Sequence, residues 1–256
     1  MSTTLGIVEV SPRRLVTAAG RHSMPSPASW RIEGKPLLEW VVRRVTDAQL
    51  LDDVVVLIDS SQHDSLRGLT PADVSLVIGR QPDSLGRLAA VLRKFDAVHA
   101  VRIKVDSPFV DPELIDRIIC AANSHPGIDY IGYKSAADPS PVHSNSGVFP
   151  EWCRAQAVYR ADHLAGKSCE RRESLRYLCS HPKQFQSTTI PIPAGLDRHD
   201  VRLAVHVEED WEHAQSIVDA LGLDGLDWHA IAGLLDEHPA MRQRMAILNQ
   251  ADCDNL

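Results

Sequence analysis

One aspartate of this chain stands where carboxylate chemistry is expected. Asp106 follows the run VRIKV, whose alternation of apolar and polar residues is typical of a β-strand with two different faces. The next segment, DPELIDRIICAAN, has the pattern of a helix, with Asp111 as N-cap and Pro112 at the first helical position. Asp106 is thus predicted in a turn between a strand and a helix, and such turns at the carboxyl ends of strands bind ligands in open α/β sheets.

Two other features bear on this chemistry. Lys104 lies two residues before Asp106, on the same strand face, so its ammonium either reaches the carboxylate or extends into solvent, and the sequence leaves both open. The segment Asp252–Asp254 has the DxD spacing of glycosyltransferases, but its place in the last residues, where chains fray, disfavours that interpretation. The sequence has no Ser-His-Asp order, P-loop or GxGxxG motif that would indicate a different chemistry.

The segments around Asp106 alternate between strand and helix patterns. Predicted strands are LGIVEV, DDVVVLID, Val74–Gly79 and Ala97–Asp106, and predicted helices are PLLEWVVRRVTDAQ, a segment from Ser84 through LGRLAAVLRKF, and Asp111–Asn123. This βαβαβα order predicts an α/β fold of three layers, in which helices cover both faces of a mostly parallel, mixed sheet.

The alternation loosens after about residue 124. The stretch IDYIGYKSAADPSPVHSNSGVFP is rich in turn formers and is interpreted as a loop or extended excursion. Helices are then predicted over Glu151–Leu164 and Cys169–Ser180, a return strand over VRLAVHV, and a helix that Gly222 ends. Because no linker separates two cores, we predict one domain over residues 1–256, with an arm at about 124–195 and a helical tail at about 223–256.

Composition excludes several classes of protein. A formal net charge of -7 argues against a nucleic-acid-binding surface, which needs clustered cations. Five cysteines without CxxC spacing indicate reduced thiols rather than disulfides or a zinc site. The chain begins without a cationic-then-apolar leader pattern and has no apolar run of about 20 residues, so a soluble, cytoplasmic protein without a membrane span is predicted.

Three segments resemble one family in their order, their spacing and their local sequence. EGKPLLEWVVRRVTDAQLLDDVVVLID, PDSLGRLAAVLRKFDAVHAVRIKVDSPFVDPELIDRII and DVRLAVHVEEDWEHAQSIVDAL are similar to the cytidylyltransferase-like family, which includes the spore-coat polysaccharide biosynthesis protein F group and the enzymes that activate 3-deoxy-manno-octulosonate and neuraminate. The resemblance implies a nucleotide-diphospho-sugar transferase fold and a homodimer built through the arm. It also implies that a sugar oxygen attacks the α-phosphate of CTP, with Mg²⁺ neutralising phosphate charge as pyrophosphate leaves.

The resemblance also implies roles for individual residues. Asp106 matches the carboxylate that holds Mg²⁺, and His206, in RLAVHVEED, falls at the position of the family's second metal aspartate. Arg102 matches an arginine that is common in its strand. The remaining roles are nucleotide binding by Arg13, Arg14 and Arg87, with Arg87 near the base and ribose, and sugar binding by Glu151 and Arg171.

The chain departs from the family pattern around the phosphates. The loop after the first strand lacks the family's lysine, which removes a charge-assisted contact of roughly 1.5–3 kcal/mol. Val105 replaces a glycine and is expected to crowd a ligand, and His206 is a poor ligand for Mg²⁺, which prefers oxygen. Glu208 and Asp210, just beyond His206, are interpreted as acids in the first turn of the next helix. We therefore expect weak Mg²⁺ binding and slow transfer.

Three functions stay open at this point. The first is a cytidylyltransferase-like enzyme of surface-polysaccharide or sugar-acid metabolism, with CTP or a CMP-sugar and a sugar as its small-molecule partners. The second is a catalytically inactive descendant that binds a nucleotide sugar or regulates another protein. The third, a glycosyltransferase that uses a nucleotide sugar, shares the fold but lacks a well-placed DxD motif.

Overall fold

A seven-stranded sheet forms the centre of the molecule. The computed structural model describes residues 3–10, 15–16, 23–24, 26–136 and 147–253. The strands in chain order are β1 Thr4–Val10, β2 Leu15–Val16, β3 Ser23–Met24, β4 Arg31–Ile32, β5 Lys35–Pro36, β6 Asp53–Asp59, β7 Ser75–Gly79, β8 His99–Lys104, β9 Tyr130–Lys134, β10 Glu151–Arg154 and β11 Ser187–Pro191. The four shortest strands, β2 to β5, form two separate two-stranded ladders.

Helices follow most of the parallel strands. Their bounds are α1 Leu37–Thr46, α2 His63–Leu66, α3 Ser84–Lys94, α4 Pro112–Asn123, α5 Ala155–Leu164, α6 Ser168–Arg171, α7 Arg176–Ser180, α8 Glu208–Leu221, α9 Trp228–Glu237 and α10 Pro239–Cys253. Side chains of aspartates cap α3, α4 and α9 at their N-termini, as the sequence predicts for α4. In the described part of the chain, no helix is long and apolar enough to cross a membrane.

The sheet has the order β11-β9-β10-β8-β1-β6-β7. Strands β7, β6, β1 and β8 are parallel neighbours, and β10 is antiparallel to β8 and β9. We call the side of the sheet on which its parallel strands end the carboxyl edge. Chain order reverses between β1 and β8, so the carboxyl ends of these two strands form the switch point at which doubly wound sheets bind ligands. The predicted α/β class and the mostly parallel, mixed sheet are confirmed.

Two apolar cores lie on opposite faces of the sheet, which gives the three layers. Along β8, Val101 and Ile103 belong to the core with α1, α4, α8 and α9, whereas Ala100 belongs to the core with α3, α5 and α7. The alternation of side chains along a strand explains this division. Arg102 lies on the same face as Ala100 and is nonetheless buried, so it needs partners there.

The prediction of a helix over Glu151–Leu164 is wrong in its first turn. Residues Glu151–Arg154 form strand β10, and α5 begins at Ala155. In β10 the side chains of Trp152 and Cys153 enter opposite cores and are both buried, an environment that a strand with two covered faces provides. The predicted helix Cys169–Ser180 is divided into α6 and α7, and strands β9 and β11 of the arm were not predicted.

The prediction of a return strand over VRLAVHV is also wrong. Residues 201–207 pair with no strand of the sheet, although Val201, Leu203 and Val205 are buried in the core. The backbone N–H of Val205 donates to the carbonyl oxygen of Asp106 at 2.8 Å, so the segment crosses the carboxyl edge of the sheet. Its alternation reflects burial of every second side chain rather than a ladder of strand hydrogen bonds. The predicted helix before Gly222 is present as α8, and α9 and α10 follow it in the region of the predicted tail.

Candidate functional site

Asp106 lies at the switch point of the sheet. Strand β8 ends at Lys104, and Asp106 occupies the turn two residues later, before α4. Because β8 runs parallel to β1, with Glu9 opposite Lys104, Asp106 lies close to the edge at which β1 ends. Arg13 and Arg14 belong to the segment after β1 and lie outside the described residues, so their predicted contact with phosphates stays a prediction.

The structure brings Asp106 and His206 together. The Nε2 atom of His206 lies 3.4 Å from Oδ2 of Asp106, and the two side chains are 21% and 17% exposed. Asp210 fixes this segment, because its Oδ2 accepts hydrogen bonds from the backbone N–H groups of His206 at 2.8 Å and Val207 at 3.0 Å. The two residues that the resemblance assigns to the metal thus face each other across the edge of the sheet.

Asp210 is itself held by a buried arginine. Its carboxylate accepts two hydrogen bonds from Arg202, at 2.6 and 3.1 Å, and both side chains are almost completely buried. The interpretation of Asp210 as an acid in the first turn of α8 agrees with this position, and Asp210 in addition anchors the residues before the helix. A bidentate arginine–carboxylate pair of this kind restricts the backbone that carries His206.

The donor set around Asp106 fits a metal ion that is shared with a ligand. In the described segments, no group of three or more His, Cys, Asp or Glu side chains could hold a metal ion. Mg²⁺ in phosphate-transferring sites is often held by one or two carboxylates, with substrate phosphates and water as the other ligands. Asp106 and His206 do not form a closed protein cage, so an ion held between them would take its remaining ligands from phosphate oxygens and water.

A second group of charged and polar residues lies on the face of the sheet that α3 and α5 cover. We call it the Arg102 cluster: Glu9, Arg102, Tyr130, Glu151 and Ser174. Arg102 donates through Nε to Glu9 and through Nη1 to Glu151, which is its direct neighbour across β8 and β10. Tyr130 donates its hydroxyl to Glu151 at 2.8 Å, and Ser174 donates to Glu9 at 2.9 Å. The cluster joins β1 and β8 to β9, to β10 and to the residues just before α7.

Opposite charges favour the ionised forms of Arg102 and Glu151. Burial alone would lower the pKa of Arg102, but attraction by the Glu9 and Glu151 carboxylates raises it above its ordinary value. Burial alone would raise the pKa of Glu151, but the positive charges of Arg102 and Lys104 lower it overall. The carboxylate of Glu151, whose side chain is 26% exposed, is therefore a charged and partly exposed acceptor.

The side chains of Lys104 and Val105 lie in different environments. Lys104 is exposed, as one of the two alternatives states, and its charge acts on Glu151. The side chain of Val105 is buried among the residues of the α1 and α4 core. The position of the Val105 side chain therefore does not support the prediction that it crowds a ligand.

Arg87 and Arg171 both lie near the N-terminus of α3, in ion pairs. The guanidinium of Arg87 is 5% exposed and lies 2.9 Å from Asp59, with a further hydrogen bond to the hydroxyl of Ser84. Arg171 bridges Asp83 at 3.0 Å and Asp162 at 2.6 Å, which ties α6 to α3 and α5. The structure does not bring Arg171 into the Arg102 cluster with Glu151, and the ligand-binding roles of both arginines stay predictions.

The sequence reasoning missed three members of the Arg102 cluster. Tyr130 and Ser174 carry no signal, because their partners are 21 and 165 residues away along the chain. Glu9 does carry one, since it is a charged residue near the end of the apolar strand LGIVEV and is buried. An acid within a buried strand predicts a cationic partner on a neighbouring strand, which is Arg102 here.

Comparisons with known proteins identify the family to which the chain belongs. The model of the MobA-like NTP transferase domain family matches residues 26–175, more than half of the chain. The uncharacterized protein MJ1063 of Methanocaldococcus jannaschii is 22% identical over 87% of this chain and 89% of its own length. The 3-deoxy-manno-octulosonate cytidylyltransferase of Syntrophotalea carbinolica is 26% identical over 76% of this chain and 73% of its own length.

Solved structures show the same fold at low sequence identity. A cytidylyltransferase from Leptospira borgpetersenii superposes with a TM-score of 0.76 and 16% identity, covering 94% of this chain and 96% of that one. CMP:2-keto-3-deoxy-manno-octonic acid synthetase complexed with CTP gives 0.61 and 14%, covering 86% and 99%. Rv0371C of Mycobacterium tuberculosis, in a complex with manganese, gives 0.57 and 14%, covering 84% and 99%. The chain belongs to the MobA-like NTP transferase domain family and is cytidylyltransferase-like within it.

Proposed function

We propose that this chain is a nucleotidyltransferase that moves a cytidylyl group from CTP to a sugar and releases pyrophosphate, in surface-polysaccharide or sugar-acid metabolism. The observation that carries the proposal is the position of Asp106, beside His206 at the switch point of the sheet. The names of the cytidylyltransferase relatives support CTP as donor and a sugar acid as acceptor.

The residues at the carboxyl edge have distinct roles in this proposal. Asp106 and His206 hold a divalent ion, Mg²⁺ by the family resemblance, and a bound ion neutralises charge on the phosphates. Arg13 and Arg14 bind the triphosphate. Arg87 contributes to the nucleotide pocket by shaping the start of α3, because its guanidinium is already paired with Asp59.

The sugar side of the proposed site is built on the Arg102 cluster. Glu151 accepts hydrogen bonds from sugar hydroxyls, and Arg102 and Tyr130 fix the direction of its carboxylate. Arg171 acts on this side by fixing α6 against α3 and α5. We propose further that the arm forms a homodimer contact and that the protein acts in the cytoplasm.

The proposal is tested with CTP, UTP and CMP, with and without a divalent ion. Calorimetry of the full chain should show metal-dependent CTP binding that Asp106→Asn weakens at least tenfold. Pyrophosphate release with 3-deoxy-manno-octulosonate or N-acetylneuraminate as acceptor should be slow but measurable, and should fall by roughly 10²-fold in the same variant, about 2.7 kcal/mol of barrier. Asp73→Asn, a change of an exposed aspartate paired with Arg43, is the matched control and should alter neither result.

One alternative has support from a specific observation. A histidine at the second metal position suits a descendant that binds nucleotides without transferring them. Metal-independent binding of CMP without pyrophosphate release would favour this descendant. Absence of binding by all three nucleotides would contradict both functions.

A further inference from the structure

The residues that face each other at the carboxyl edge are of two different donor types. Asp106 supplies a carboxylate oxygen and His206 an imidazole nitrogen, 3.4 Å apart. That separation exceeds the usual 2.7–3.2 Å of an N–H···O hydrogen bond. Two ligand atoms that each lie about 2.1 Å from one ion, at an angle of roughly 90–110°, are about 3.0–3.4 Å apart. The separation is within ion-pair distance of a histidine and an aspartate, and it also equals the spacing of two ligands of one metal ion.

Both donors are placed by backbone contacts rather than by chance proximity. The N–H of Val205 donates to the carbonyl oxygen of Asp106, so the two segments are tied directly. The N–H of His206 is held by Asp210, whose other partner is the buried Arg202. Such supporting contacts orient the side chains that bind a metal and reduce the reorganisation that binding requires.

The chemistry of the donors selects the metal. Mg²⁺ takes oxygen ligands and holds imidazole weakly, whereas first-row transition ions accept nitrogen and oxygen together. Affinity for a given nitrogen and oxygen site rises from manganese through cobalt to nickel. Replacement of one of two carboxylates by an imidazole weakens the binding of Mg²⁺ but not of ions that accept nitrogen, so His206 changes which ion is favoured.

From these observations we infer that Asp106 and His206 form a mixed carboxylate–imidazole site that binds a divalent first-row transition ion in preference to Mg²⁺. The inference rests on the proposed function, and it replaces the Mg²⁺ that the family resemblance implies by another class of ion at the same site. Phosphate oxygens and water supply the remaining ligands, since the described residues offer these two donors and no cluster of three.

Titration of the metal-free full chain with Co²⁺, Mn²⁺ and Mg²⁺, each alone and without nucleotide, tests the inference. Wild type should bind Co²⁺ more tightly than Mn²⁺, and Co²⁺ at least tenfold more tightly than Mg²⁺. The visible absorption of bound Co²⁺ reports coordination by nitrogen and should change in His206→Ala. That variant should lose at least tenfold in Co²⁺ affinity but little in Mg²⁺ affinity, while His206→Asp should bind Mg²⁺ more tightly than wild type does.

A second histidine beside a carboxylate serves as the matched control. His229 lies 3.9 Å from Glu113 on the surface, with 63% of its side chain exposed, so His229→Ala should leave all three affinities unchanged. Circular dichroism and the urea midpoint establish that each variant is folded. Asp106→Asn should weaken all three ions, because it removes the ligand that they share.

The possible results separate this inference from the proposed function. Tighter binding of Mg²⁺ than of Co²⁺, an unchanged Co²⁺ to Mg²⁺ ratio in His206→Ala, or no binding of any ion would overturn the inference. Pyrophosphate release that depends on CTP in the same preparation would leave the proposed function standing. The expected metal preference without CTP binding would instead support the inference and remove the function.

Discussion

Two buried arginines hold the two sides of the carboxyl edge, and they do so differently. Arg202 pairs with Asp210, only eight residues away, and fixes the segment that carries His206. Arg102 pairs with Glu9 and Glu151, which are 93 and 49 residues away, and thereby joins β8 to β1 and β10. The first pair is a local anchor of the proposed metal side, and the second is a long-range bridge under the proposed sugar side.

The difference shows how each anchor would respond to loss of its arginine. Without Arg202, the Asp210 carboxylate keeps two hydrogen bonds from backbone N–H groups. Without Arg102, two carboxylates lie near each other, and among the described residues their remaining donors are a serine and a tyrosine hydroxyl, with the charge of the exposed Lys104 nearby. Because an uncompensated buried charge is costly, the long-range bridge should be the more sensitive of the two.

Arg102→Met is expected to have the largest effect. Removal of the cation leaves Glu9 and Glu151 buried without their main partner, which should lower the free energy of unfolding by about 3–5 kcal/mol. Urea denaturation followed by circular dichroism measures the change. Arg43→Met, at an exposed ion pair with Asp73, is the control and should leave the midpoint unaltered. A loss no larger than that of the control would show that the cluster contributes nothing to folding.

Arg202→Met should cost less, about 2–3 kcal/mol, since Asp210 retains its backbone donors. The same change frees the segment before α8, so the Co²⁺ affinity of the proposed metal site should fall although no ligand is removed. Arg102→Met should not alter that affinity in the fraction that stays folded. Equal effects of both variants on Co²⁺ binding would contradict the division into two anchors.

The two anchors also mark the limit of what the sequence predicts. The βαβαβα pattern predicts the parallel half of the sheet and places Asp106 at its carboxyl edge, because strand and helix periods are local properties. The partners of Arg102 depend on the register of β10 beside β8, in which Glu151 lies opposite Arg102. No local pattern fixes that register, and residues 151–154 were predicted as helix.

The return segment illustrates the opposite error. Val201, Leu203 and Val205 alternate as in a strand, and they are buried, but they follow the edge of the sheet without joining it. A sequence period reports which side chains are buried and not which backbone groups pair. The proximity of Asp106 and His206 came instead from the family resemblance, since no spacing rule relates residues 100 positions apart.

Ser174→Ala tests the arm side of the long-range bridge with a smaller change. The hydroxyl of this buried serine donates to Glu9, and its loss should lower the free energy of unfolding by about 1–2 kcal/mol. Ser180→Ala, at an exposed serine that bonds only within its own helix segment, is the matched control. An equal effect of the two changes would show that the hydrogen bond to Glu9 does not stabilise the arm.

The smallest expected effect concerns His213, which lies beside the local anchor. The pKa of His213 is lowered, mainly by burial. The negative charges of Asp210 and Glu212 act to raise this pKa, whereas the positive charges of Arg244 and Arg202 lower it further. A histidine whose pKa is lower in the folded state than in the unfolded state, about 6.5, contributes stability that is fully present above that value. This contribution is lost as the pH falls below about 6.5 and through the lowered pKa.

His213→Leu replaces this buried histidine by a side chain that does not titrate. The stability of the variant should therefore decline less than that of wild type as the pH is lowered from neutral into the acidic range. Urea midpoints measured across that range give the two slopes. The pKa of His99 is also lowered by burial, but His99 is present in both proteins and cancels in the difference. His229→Leu, at an exposed histidine, should follow the wild-type curve. Parallel curves for wild type and His213→Leu would show that protonation of His213 does not strain the local anchor.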